Sequence, residues 1–185
     1  MIRFNLSAVV LAFGLLLLAT RGRVMAETEQ EAERTEYRHR AELFLGVAHE
    51  ESSDEFAEGI GYEHRISHLL GLGGFVEHAG AEEEAWTFGV PLFVHPYKGV
   101  RLLLAPGWEL KEVKVEDPPS LGSSGVASEV GESEETEHER SFLVRAGVAY
   151  EVEAGRWSIA PEFNVDFIEG GHQVLVYGVS FGCGF

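Results

Sequence analysis

The stretch Val174-Leu175-Val176-Tyr177-Gly178-Val179-Ser180-Phe181-Gly182-Cys183-Gly184-Phe185 alternates without a break. Leu175, Tyr177, Val179, Phe181, Cys183 and Phe185 fall on one side, and Val174, Val176, Gly178, Ser180, Gly182 and Gly184 on the other. Successive side chains of a strand point to opposite faces, so the segment reads as a strand with one bulky apolar face and one small, glycine-rich face.

The same period of two recurs upstream, broken by polar or glycine-rich turns, near residues 41–50, 55–65, 69–79, 85–95, 99–111, 140–152 and 156–167. With 173–185 this makes eight strands, each about as long as a tilted strand needs to cross a bilayer. Beyond the N-terminus no run approaches twenty apolar residues, which excludes spanning helices. The connections Ile66-Ser67-His68, Pro96-Tyr97-Lys98 and Glu153-Ala154-Gly155 are tight, whereas about 112–139 is long. Short turns at one end and longer loops at the other are the pattern of a membrane barrel.

Cross-strand parity sets the register. Tyr62 opposite Gly74 brings Ile60 to Val76, Glu63 to Gly73 and Gly59 to Glu77. In the sixth turn, Tyr150 opposite Trp157 brings Val148 to Ile159, Val144 to Phe163 and Arg145 to Glu162. Bulky residues stay on one face and charges on the other, and a slip of one residue would destroy that segregation. Pro91, Pro106 and Pro161 lie inside these strands, where each removes a ladder donor, so they mark expected bulges or bends.

The apolar face is read as outward. Aromatics gather at its two ends: Phe56, Trp86, Trp108, Phe142 and Phe167 toward the loops, and Tyr62, Tyr150, Trp157 and Phe185 toward the turns. Two girdles around an aliphatic band match a lipid-facing wall. Glycines such as Gly46, Gly59, Gly73, Gly147 and Gly178 on the other face relieve crowding inside a narrow barrel. The alternative is a soluble, lipocalin-like carrier with the apolar face around a ligand.

The inward face carries Glu42, Glu63, Arg65, Glu77, Arg101, Glu109, Arg145, Glu151, Glu162 and Asp166. The expected lumen charge network is Glu63, Arg65, Arg101, Arg145, Glu151, Glu162 and Asp166, with Arg145–Glu162 as its specific pair and His95 opposite Arg101 as its cap. Eight strands leave an interior just wide enough for side chains, so this network reads as a plug, with a narrow charged passage as the alternative.

Residues 1–26 read as a secretory signal, with Arg3 at the start, an apolar stretch from Ala8 to Ala19, and Val24-Met25-Ala26 at the cut. An uncleaved anchor is the other reading. Removing this segment, which holds three Arg and no acid, moves the formal charge from −17 to about −20. So acidic a chain is a poor match for nucleic acid. Cys183 is the one cysteine, which leaves no intrachain disulfide and no lipid-anchoring Cys after the cut. Residues 27–40 read as an acidic periplasmic tail. The acidic loop at about 112–139, with Pro118-Pro119 and Gly122-Ser123-Ser124-Gly125, has the composition of a solvated loop without fixed structure.

Catalytic motifs are absent: there is no GxSxG, HExxH, CxxC or phosphate-binding glycine loop before a helix. No cofactor is expected, and the eight histidines do not converge as metal ligands would. One constellation stands out. Glu58 and His78 face each other on the outward side near the loops, with His49 on the preceding strand. A carboxylate beside a His is two-thirds of a hydrolase triad. In this the pair resembles the outer-membrane barrel enzymes that deacylate lipid A with a Ser near the membrane surface, the alternative being a lipid-modifying enzyme; polar side chains at headgroup level are the simpler reading. The nearby serines, Ser52 and Ser53, sit in the first loop.

Across residues 41–185 the chain resembles small eight-stranded outer-membrane β-barrels of Gram-negative bacteria, including uncharacterised porin-like families. The segments that carry the resemblance are Gly59-Ile60-Gly61-Tyr62-Glu63-His64-Arg65, Phe93-Val94-His95-Pro96-Tyr97-Lys98-Gly99, Pro161-Glu162-Phe163-Asn164-Val165-Asp166 and Tyr177 to Phe185. It implies an all-β, eight-stranded antiparallel up-and-down transmembrane β-barrel in the outer membrane. It also implies that Tyr177, Phe181 and Phe185 form the tag read by the barrel-assembly machinery; Cys183 stands where an aromatic is common. The partners so implied are outer-membrane lipid and lipopolysaccharide, with the barrel a monomer. No catalytic residue is carried over.

Overall fold

The computed structural model describes residues 37–51, 53–80, 84–114 and 136–185. The signal segment, most of the acidic tail and the centre of the acidic loop lie outside these residues. The strands are β1 (His39–Glu50), β2 (Ser53–Arg65), β3 (Leu70–Ala79), β4 (Ala85–Gly89), β5 (Leu92–Tyr97), β6 (Val100–Lys114), β7 (Thr136–Tyr150), β8 (Val152–Ala154), β9 (Trp157–Ile168) and β10 (Gln173–Gly184). β4 with β5, and β7 with β8, each make one interrupted stave, so ten strands build an eight-stave antiparallel barrel. The pairing of β10 with β1 closes it.

Closure fixes the stagger. Cα partners run from His39 through His64, Leu72, Leu92, Leu104, Ala146, Val165 and Leu175 and return to β1 at His49. With ordinary strand spacing and rise, that offset gives a strand tilt of about 40° and a backbone radius of about 8 Å. A barrel this narrow has space for side chains and little else.

The alternation divides the residues as expected. Tyr177, Phe181 and Phe185 are exposed on the outer wall, and Val174, Val176, Ser180, Gly182 and Gly184 are buried. The outer wall also carries Leu43, Ile60, Leu72, Val148, Ile159 and Phe163. All three tryptophans, Trp86, Trp108 and Trp157, point outward. Phe167 is the exception to the expected girdle, because it is buried.

The β2–β3 register places Tyr62 opposite Gly74 and Glu63 opposite Gly73, as parity required. The β7–β9 register differs. Arg145 faces Asp166, Val148 faces Phe163 and Val144 faces Phe167, a slip of four residues from the expected pairing. An even slip keeps every side chain on its face, so alternation alone cannot detect it. The tight connection is accordingly Gly155-Arg156, after the short β8, with Gly155 at φ 64°. Such a conformation suits glycine, and a two-residue hairpin loop demands it.

Other boundaries move as well. The fourth stave breaks at Val90-Pro91, where Pro91 has no donor for the ladder, although its carbonyl accepts from Gly73 N at 3.0 Å. Pro106 and Pro161 sit within continuous strands opposite Val144 and Val179. β5 runs on to Tyr97, leaving Lys98-Gly99 as the turn. β6 and β7 extend to Lys114 and from Thr136, so the acidic connection between them is shorter than the sequence suggests. β1 begins at His39, inside the expected tail.

Candidate functional site

The interior is layered. At the turn end, four staves converge on Arg101, which is 1% exposed. Its guanidinium meets Glu42, Glu151 at 3.1 Å and Glu162 at 3.3 Å. Arg40 lies alongside, 2.9 Å from Glu42 and 2.5 Å from Glu151, and donates to the Ser158 hydroxyl. Arg65 reaches Glu151 at 3.4 Å and Glu63 at 3.7 Å. Glu63 is fully buried, and His95 Nε2 lies 2.7 Å from its Oε1.

Toward the loop end Arg145 holds a second, separate cluster. Nη1 and Nη2 donate to the two oxygens of Glu77 at 2.9 and 2.7 Å. Nε and Nη2 donate to the two oxygens of Asp166, both at 2.7 Å. This is bidentate pairing twice over, the strongest geometry guanidinium offers. Glu77 comes from β3, across the lumen, and Asp166 from the adjacent β9.

Aromatic rings separate the two clusters. Arg101 lies 5.3 Å from the centroid of Phe93, and Arg145 lies 4.6 Å from that of Phe75. Phe44, Ala48, Ala57, Leu143, Ile168, Val174 and Val176 form an apolar layer on the loop side. Between the clusters a cavity of about 40 Å³ remains, bounded by Glu42, Phe44, Phe75, Arg101, Arg145 and Glu162 among others. That is room for a few water molecules and not for a carrier's ligand.

The structure thus brings Glu63, Arg65, Arg101, Glu151 and Glu162 into one network and places Arg145 and Asp166 in another. Arg145 does not pair with Glu162, which instead accepts from Asn164 Nδ2 at 2.9 Å and Ser180 Oγ at 2.6 Å. His95 caps the network through Glu63, from the irregular stretch of β5 between Val94 and Tyr97. Arg40 was missed because it sits in the Glu-rich lead-in, although the alternation His39-Arg40-Ala41-Glu42 already places it with Glu42. Ser158, Asn164 and Ser180 carried no sequence signal beyond their inward parity.

On the outer wall, Glu58 and His78 are direct cross-strand partners, and His78 is in turn the partner of Trp86. The His78 and Trp86 rings lie 4.8 Å apart. His49 does not join them; its Nδ1 lies 2.6 Å from Asp54 Oδ1. Ser53 opens β2 opposite Glu50, on the lumen side of that strand, and Ser52 lies outside the described residues. Among the described residues no group of three or more His, Cys, Asp or Glu is arranged to hold a metal ion.

No family model matches the chain, and no curated protein sequence does. Solved structures do. The N-terminal β-barrel domain of Pseudomonas aeruginosa OprF is 13% identical at a TM-score of 0.50, over 80% of this chain and 99% of that one. Neisserial surface protein A is 12% identical at a TM-score of 0.50, over 80% of this chain and 96% of that one. At such identities the likeness concerns architecture alone, and it agrees with the strand count and the closure of the barrel. The chain has the fold of the small eight-stranded outer-membrane β-barrels.

Proposed function

We propose that the chain is an integral outer-membrane protein whose filled interior makes it a structural or interaction module rather than an open pore. The carrying observation is the pairing of an apolar, aromatic-edged outer wall with a lumen packed by two arginine-centred clusters and the rings between them. In water the exposed wall would be an aggregation surface, whereas in hydrocarbon it is satisfied. The ion pairs belong where lipid cannot reach them.

On this reading residues 1–26 direct export and are removed. Tyr177, Phe181 and Phe185 present the assembly tag on the outer wall, and the barrel resides as a monomer among phospholipid and lipopolysaccharide. Against the carrier alternative stands the interior cavity among the described residues, which at about 40 Å³ is too small for such a ligand. The enzyme alternative lacks a hydroxyl nucleophile beside Glu58 and His78 among the described residues. Planar-bilayer conductance tests the plug: the wild type is expected to be silent and Arg145→Ala to leak. Steady open-pore currents from the wild type would overturn it.

A further inference from the structure

The outer wall between the girdles is apolar except at one place, where Glu58 and His78 lie side by side. Of the outward-facing described residues between Phe56, Trp86, Trp108 and Phe142 at one end and Tyr62 and Tyr150 at the other, Glu58 is the only acid. It lies two residues along β2 from Phe56 and four from Tyr62, which puts it about 5 Å inside the loop-end girdle at this tilt. It is exposed, and its neighbours on the wall are Leu45, Phe56, Ile60, Val76 and, directly across the ladder, His78. Among the described residues no cation or hydrogen-bond donor reaches its carboxylate. A charge facing lipid without a partner opposes folding into a bilayer, so such residues mark function by default.

The second observation is independent of the first. The one imidazole on the same face at this level, His78, is the residue directly opposite Glu58, and it is held against the Trp86 ring. An acceptor and a ring nitrogen side by side on a lipid-facing wall, under an aromatic ledge, match a polar group that enters the membrane attached to acyl chains. On the membrane reading proposed above, we infer that Glu58 and His78 bind the linkage region of an outer-leaflet glycolipid, where hydroxyl and amide groups lie just below the headgroups. A hydroxyl or amide N–H of the lipid donates to Glu58, and the neighbouring polar oxygen meets His78. Trp86 lies over the sugar side. The role is binding, because no nucleophile accompanies the pair.

The test uses the full chain in vesicles of phosphatidylcholine alone, with added phosphatidylethanolamine, or with added lipid A. Flotation with the vesicles and a heat-modifiable gel band establish insertion. Native mass spectrometry then reads the retained lipid. The wild type is expected to retain lipid A in preference to either phospholipid. Glu58→Leu is expected to lower that retention about tenfold, the worth of a hydrogen bond to a charged group. Glu58→Gln, which keeps an acceptor oxygen, should stay within about threefold of the wild type. Leu on this wall favours insertion, so a loss in Glu58→Leu is not a folding failure. Retention unchanged in Glu58→Leu overturns the inference, as does retention of phosphatidylethanolamine that vanishes in Glu58→Gln, since that would identify an ammonium ligand. A wild type that does not float overturns the membrane reading itself.

Discussion

Replacing Arg145 by Met isolates the loop-end cluster. The arginine makes four hydrogen bonds of 2.7 to 2.9 Å to two carboxylates, with its side chain nearly sealed from solvent. Methionine keeps much of the volume and removes every donor. Glu77 and Asp166 are then left facing one another across the lumen without a cation. Breaking a buried pair from one side costs about 3–5 kcal/mol, more than the pair itself contributes against an apolar replacement. In urea that loss is a fall in midpoint of roughly 2 M, read by the gel shift and by tryptophan fluorescence of the lipid-embedded protein. The triple variant Glu77→Leu, Arg145→Met, Asp166→Leu removes the stranded charges together and is expected to recover most of the loss. An Arg145→Met protein that unfolds at the wild-type midpoint would show that the cluster is not a structural tie.

Three further outcomes follow from the same geometry. Arg101→Met should cost about 3–5 kcal/mol and Arg65→Met about 1 kcal/mol or less in the same denaturation assay. Arg101 is sealed among four glutamates, Glu42, Glu63, Glu151 and Glu162, whereas the Arg65 side chain is 17% exposed. Gly147→Val should block folding, because its Cβ would collide with the Asn164 side chain, and Asn164→Gly in the same chain should relieve part of the defect in a refolding yield. Gly99→Ala, at φ 79° with its Cβ 2.9 Å from the Glu151 carbonyl, should lower the midpoint more than Gly155→Ala. Gly155→Ala pays only the backbone term of about 1–2 kcal/mol in open space.

Alternation makes the barrel legible in the sequence, because a face buried in a narrow lumen and a face on the outer wall demand different residue sizes at every second position. It located the β2–β3 register as well, since Glu63 and Glu77 each need a glycine opposite. It failed at β7–β9 for a definite reason. Glu162 and Asp166 are four residues apart on the same face of β9, and either would neutralise Arg145. Gly155 followed by Arg156 was the cue that would have chosen between them, as a positive φ is needed there. The Arg145–Glu77 contact joins residues 68 positions apart through the lumen, and no local pattern records it. The break at Pro91 was anticipated as a bend. Pro106 and Pro161 leave their strands intact, so the missing donor alone does not decide where a strand breaks.

The direction of the apolar wall can be read from the chain's own fluorescence, because all three of its tryptophans lie on that wall. In vesicles containing brominated lipid, emission from Trp86, Trp108 and Trp157 should be quenched strongly when bromine sits near the headgroup end of the acyl chain and weakly when it sits at the bilayer centre. Aqueous acrylamide should quench little. Emission indifferent to brominated lipid would place the tryptophans away from hydrocarbon, and the membrane-barrel reading would fall with it.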